Sequence, residues 1–185
     1  MSKLTGSFAA GVLKYMAQIT ALTAPSVISY ERLTPHRWSA AYNNLGAQDR
    51  EASLRICPVT AKEPASIAKQ FNLEYRAADA AACPHLALAA MVHAGCQGIE
   101  EDLPAPVPTE DDLSLLSPED LQARGFRRLP TSLEDALETF AEDTTVSGWF
   151  PDEFTAVYVA HKQAEIADVA ELDTAGKCAA YADTY

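Results

Sequence analysis

Nowhere in its 185 residues does the chain carry an apolar run long enough to span a bilayer, and no signal-peptide core and cleavage site follow Met1-Ser2-Lys3-Leu4-Thr5-Gly6. Both absences point to a soluble, cytoplasmic protein with no membrane partner. Cysteine is scarce: Cys57, Cys83, Cys96 and Cys178 include no Cys-x-x-Cys pair, which excludes a zinc-ribbon pattern and a disulfide framework and predicts reduced, mostly buried thiols. There is no internal repeat and no low-complexity segment. Positive charge is missing from one part of the chain, since residues 79–185 hold five Lys/Arg against twenty-one Asp/Glu. That deficit argues against a nucleic-acid partner.

An apolar fraction of 48% over this length suffices for one domain with a substantial core. Residues 1–78 hold nine Lys/Arg against five Asp/Glu, so the net charge of −12 conceals a basic first part. Arg32, Arg37, Arg50, Arg55, Lys69 and Arg76 lie there and are candidates to line an anion site.

The most informative stretch is Phe71-Asn72-Leu73-Glu74-Tyr75-Arg76. Its alternation predicts a strand with three large side chains on one face and an amide, a carboxylate and a guanidinium on the other. An acid and an arginine held together on a rigid element suit binding of a metal or an anionic substrate. Residues 52–57 alternate as well, which places Ser53, Arg55 and Cys57 on one side of a second strand. The connection over 58–70 allows the two strands to pair antiparallel and brings Arg55 near Glu74 and Arg76.

Apolar spacing predicts an amphipathic helix over 7–23, stopped at Ala24-Pro25-Ser26, and a short extended or turn segment over 27–33. Residues 34–38 read as a loop with an arginine and an exposed aromatic, Trp38. An Ala-rich helix is expected over 84–98, on which His85 and His93 read as packed or hydrogen-bonded core residues. Residues 100–112 form an acidic, solvated loop. Hydroxyl caps at Ser117 and Thr131 start two further helices, and a long final helix runs from 152 to about 173 and on toward Tyr181. The fold class is α+β, with antiparallel strands packed against helices.

Four motifs in order carry a family resemblance: Ser7-Phe8-Ala9-Ala10-Gly11-Val12-Leu13, Ser29-Tyr30-Glu31-Arg32-Leu33, Asp49-Arg50-Glu51-Ala52-Ser53-Leu54-Arg55-Ile56, and Leu73-Glu74-Tyr75-Arg76 followed by Cys83-Pro84-His85-Leu86. Together they closely resemble the C-terminal half of the glutamine synthetase catalytic domain. The resemblance implies that residues 1–185 are a partial catalytic domain of this type, without the family's N-terminal β-grasp domain and without the first part of the catalytic domain. It implies ATP-dependent ligation of glutamate with ammonia through γ-glutamyl phosphate, with ATP and Mg²⁺ or Mn²⁺ as cofactors. It also implies nitrogen metabolism, glutamine biosynthesis and a homo-oligomeric full-length form.

By motif position, Glu74 resembles the family's metal-ligand glutamate in this half. Arg76 resembles the arginine that engages substrate and intermediate, and Arg32 the one that grips the substrate carboxylate, a task suited to a bidentate guanidinium. Arg50 and Arg55 match arginines near the ATP phosphates, and Lys69 matches a nucleotide-contacting lysine. Arg32, Arg50 and Arg76 are the expected catalytic residues, with Arg50, Arg55 and Lys69 on the nucleotide. Three departures qualify the match. Asn72 replaces an arginine directed at the nucleotide, Ile28 replaces a common asparagine, and the turn Pro35-His36-Arg37-Trp38 lacks the flap glutamate of ammonia-using enzymes. The last resembles the branch that joins glutamate to larger amines, so γ-glutamyl-amine or polyamine ligation stands as the alternative, beside an incomplete fragment acting only in binding or assembly. Ser114 falls where some relatives carry a regulatory tyrosine, so no adenylylation is expected. With one metal-ligand carboxylate, the isolated chain is expected to be inactive.

Overall fold

The computed structural model describes residues 1–38 and 40–182. Two helices open the chain, α1 (Lys3–Lys14), capped by the Ser2 hydroxyl, and α2 (Met16–Thr23). The single helix expected over 7–23 is thus divided at Tyr15, which leaves helical geometry at φ −98° and ψ 9°. The Tyr15 hydroxyl donates to Glu101 Oε1 at 2.5 Å while the neighbouring Lys14 reaches the other carboxylate oxygen, a distant contact that apolar spacing cannot reveal. Residues Val27–Glu31 settle as a 3₁₀ turn capped by Ser26.

Three short strands follow, β1 (Leu45–Ala47), β2 (Leu54–Ile56) and, beyond α3 (Pro64–Gln70), β3 (Leu73–Tyr75). β2 and β3 pair antiparallel with Arg55 opposite Glu74, as the alternation predicts. β1 adds parallel to β2, with Leu45 opposite Leu54. A buried amide fixes that pairing: Asn44 accepts from Ser53 N–H and donates to Thr109 Oγ1 at 2.8 Å. The connection before β3 contains a helix, with Pro64 at its first position where a missing N–H costs nothing. Phe71 ends that helix and stands outside the strand.

The remaining elements are helical: α4 (Pro84–Glu100), α5 (Pro118–Ala123), α6 (Leu133–Glu142), α7 (Thr144–Ser147), α8 (Asp152–Asp168) and α9 (Thr174–Ala182). Ser117 caps α5 as expected, while α6 is capped by Ser132 and not Thr131, its hydroxyl accepting from Asp135 N–H. The long final helix is interrupted between α8 and α9. Tyr181 on α9 hydrogen-bonds Glu165 on α8, which also holds the buried Lys162.

The core lies between α1, α2, α4 and α6, where Met16, Ile19, Leu22, Leu133, Leu137 and Phe140 are buried. Phe140 meets the rings of Phe150 and Tyr158 edge-on. Tyr75 links the sheet to this core through a 3.1 Å hydrogen bond between its hydroxyl and that of Thr23. The outer face of α4 is left open: Leu88 and Val92 are exposed, and so are His85, His93 and Cys96. The two histidines are therefore not core residues, although His93 stacks on Trp149 with centroids 5.7 Å apart. All four cysteines are free, but only Cys57 is even half-buried: Cys83 precedes α4, and the helices that carry Cys96 and Cys178 turn those residues to solvent. Among the described residues no helix is long and apolar enough to cross a membrane.

Candidate active site

The antiparallel register of β2 and β3 puts Arg55 and Glu74 directly across from one another, and the pleat turns Arg76 to the same face. Glu74 Oε2 accepts from Arg55 Nη1 at 2.9 Å and Oε1 from Arg76 Nη1 at 3.0 Å. The Arg55 hydrogen bond, aided by the charge of Arg76, holds Glu74 below its ordinary value of 4.5. Cys57 Sγ lies 3.7 Å from Glu74 Oε2, and burial pushes its thiol up.

Two more arginines join this pair through the backbone. Arg32 donates to the carbonyls of Arg76, Ala77 and Ala78 at 3.0–3.2 Å, so it grips the chain where β3 ends. Burial is the main cause of its lowered pKa, and the guanidinium remains a cation. Arg76 Nη2 donates to the Trp38 carbonyl at 2.8 Å, and the Arg50 guanidinium lies 5.0 Å from the Trp38 ring centroid. Glu74, Arg32, Arg50, Arg55 and Arg76 are thus brought into one connected cluster. Lys69 stands exposed on α3, in the connection between β2 and β3.

The loop at 36–38 is strained and held. His36 and Trp38 adopt φ of 61° and 54°, a left-handed conformation costly for large side chains. Glu51 clasps the loop by accepting the N–H of His36 at 3.0 Å and that of Trp38 at 2.7 Å, one on each carboxylate oxygen. The His36 ring adds a 3.0 Å contact to Ser114 Oγ. Sequence reasoning missed Glu51 and the contact of Cys57 with Glu74. The signal for Glu51 was its position beside Arg50 at the end of an Asx turn, in which Asp49 accepts from Glu51 N–H at 2.9 Å.

Chemically, the arrangement sets two guanidinium groups on one carboxylate, with Arg32 linked through the backbone after β3 and Arg50 through Trp38, so cations outnumber the acid and the cluster favours anions. It does not by itself make a metal site. A divalent cation takes six or more oxygen ligands, whereas Glu74 is a single carboxylate engaged on both oxygens, and among the described residues no three His, Cys, Asp or Glu side chains gather to hold a metal. Buried Nε atoms of Arg55 and Arg76 have no partner of their own, so the cluster keeps unmatched donor capacity.

A helical layer carrying a small mixed sheet, with arginines converging on one face, is the setting in which comparison with known proteins becomes decisive. Residues 1–181 match the family model described as glutamine synthetase, catalytic domain, and the chain belongs to that family of ligases. It is 38% identical over 95% of its length to the gamma-glutamylpolyamine synthetase GlnA3 of Streptomyces coelicolor, covering 37% of that protein. With a glutamine synthetase of Aquifex aeolicus it shares 36% identity over 84% of its length, covering 32% of that protein. The fold agrees: a crystal structure of a novel glutamine synthase homolog superposes with a TM-score of 0.84 at 42% identity, covering all of this chain and 39% of that one. A GmaS/ADP complex gives 0.73 at 26% identity, covering 94% of this chain and 38% of that one. The chain spans less than two-fifths of the length of these relatives.

Proposed function

We propose that the chain supplies the C-terminal, anion-binding half of the active site of an ATP-dependent glutamate ligase, in which γ-glutamyl phosphate is displaced by ammonia or an amine. The observation that carries this reading is the cluster itself: Arg55 and Arg76 on Glu74, with Arg32 tied to the backbone at Arg76 and Arg50 tied to Arg76 through Trp38. In this reading Arg50, Arg55 and Lys69 face the nucleotide phosphates, Arg32 the substrate carboxylate, and Arg76 the transferring group. Phosphoryl transfer relies on such cations to neutralise charge that grows in the transition state. Magnesium or manganese, when bound, would neutralise phosphate charge, and Glu74 would be one of its ligands.

Acceptance of an amine larger than ammonia is favoured by the loop at 36–38, which carries His36 and Trp38 and no carboxylate, and is supported by the similarity to a gamma-glutamylpolyamine synthetase. Calorimetric titration of the purified chain with ADP tests the shared part of both readings. Saturable binding that weakens about tenfold or more in Arg55→Ala is expected, the effect of one charge-assisted hydrogen bond. No binding, or binding indifferent to Arg50→Ala and Arg55→Ala, refutes it. ATP- and glutamate-dependent γ-glutamyl product from the chain alone would refute the half-site assignment.

A further inference from the structure

We infer that Trp38 and Arg50 form an open stacking platform for a flat aromatic ring bearing an anionic group, next to the Glu74 cluster. Trp38 is 66% exposed, yet it is not a stray surface residue. Its loop adopts two left-handed residues and is fixed from below by Glu51 and from the side by Arg76, so an unfavourable backbone is maintained to present this indole. Arg50 lies against the ring, and the same Arg76 that holds the Trp38 carbonyl also holds Glu74.

Charge decides the class of ligand. Arg50 lies against the indole and Arg76 holds the Trp38 carbonyl, with Arg55 beyond on Glu74, while of the acids at this loop Glu51 has both oxygens engaged by backbone N–H groups and Asp112 faces the His36 ring at 3.6 Å. An aliphatic polycation brought here meets like charge. A planar ring gains stacking on the indole, and an anionic substituent gains the Arg50 guanidinium. Two sources share this chemistry, an aromatic amine acceptor carrying a carboxylate and the base of a nucleotide. The inference deepens the reading above and rests on it for assigning the ring to a substrate of the ligase; binding of the ring does not depend on turnover.

The test uses ¹H–¹⁵N spectra of the full chain, with the Trp38 indole N–H identified by its loss in Trp38→Phe and the Trp149 indole reporting an intact fold. The chain is titrated separately with 4-aminobenzoate, ADP and 1,4-diaminobutane. The expected result is a saturable shift of the Trp38 signal by at least one aromatic probe and none by the diamine. Affinity for that probe, measured by calorimetry, should fall about five- to a hundredfold in Trp38→Ala. A response to 4-aminobenzoate assigns the acceptor, and a response to ADP assigns the base. A shift by the diamine, no shift by either aromatic probe, or unchanged affinity in Trp38→Ala overturns the inference. Failure here with Arg55-dependent ADP binding preserved removes the platform alone; loss of that ADP binding removes the ligase reading instead.

Discussion

Where α1 crosses α4, contact is backbone against backbone: a methyl group placed on Gly11 or Gly98 would overlap main-chain atoms of the facing helix. Where β2 meets β3, three-residue strands are joined by guanidinium and carboxylate groups that remain partly in solvent, with the Glu74 side chain 39% exposed. The first region is held by excluded volume and apolar burial, which tolerate no added atom. The second is held by charge-assisted hydrogen bonds between partly exposed groups, which tolerate substitution with less loss of stability. One chain therefore holds one region by packing and another by charge, and the contrast can be tested from either side.

The largest effect is expected in the helical layer. Phe140→Ala, at a site with no exposure, should lower the unfolding free energy by about 3–5 kcal/mol, read from urea denaturation. Gly98→Ala comes next, at about 1–3 kcal/mol, because a single methyl must force α1 and α4 apart. If both variants proved neutral, the two regions would not differ as described. Glu74→Gln should cost no more than about 1 kcal/mol, since the Glu74 side chain is 39% exposed and an amide oxygen still accepts one of the two arginine hydrogen bonds. The same variant should tighten metal-free ADP binding a few-fold by releasing Arg55 and Arg76 from their carboxylate; weaker binding would count against the electrostatic account.

The smallest effect is a pH signature. Glu74 has a folded-state pKa below 4.5, so its contribution is fully present above that value and is lost as pH falls through the depressed one. The stability difference between the parent chain and Glu74→Gln should therefore be flat at neutral pH and shrink on acidification below about pH 4.5. A difference that grew toward low pH would reverse the assigned sign.

The alternation of residues 52–57 and 71–76 was enough to read β2, β3 and the meeting of Arg55 with Glu74 and Arg76, because strand period and register are local properties. β1 was not legible: Leu45, Gly46 and Ala47 offer no alternation, and their pairing depends on the buried Asn44 amide. Tyr15, where the helix breaks, is held by Glu101, a partner distant in sequence, and apolar spacing alone predicts one helix where there are two. Exposure on α4 escaped for another reason. His85, His93 and Cys96 read as interior on an apolar helix, yet the neighbouring elements cover only the opposite face, lined by Ala87, Ala90 and Ala94. The motifs supplied the identity of the arginines around Glu74, and the backbone links from Arg32 and Arg76 explain how residues far apart in sequence are brought together.

The Glu51 clasp takes hold of amide groups only, at His36 and at Trp38, and is indifferent to what those residues display. Side chains at both positions can be exchanged during evolution, or in the laboratory, without dismantling their mount, provided the replacement tolerates a left-handed backbone; branched Val, Ile and Thr are poor choices, Asn and Gly good ones. The groups displayed at the tip can then change by single replacements, while the arginines beneath keep their places.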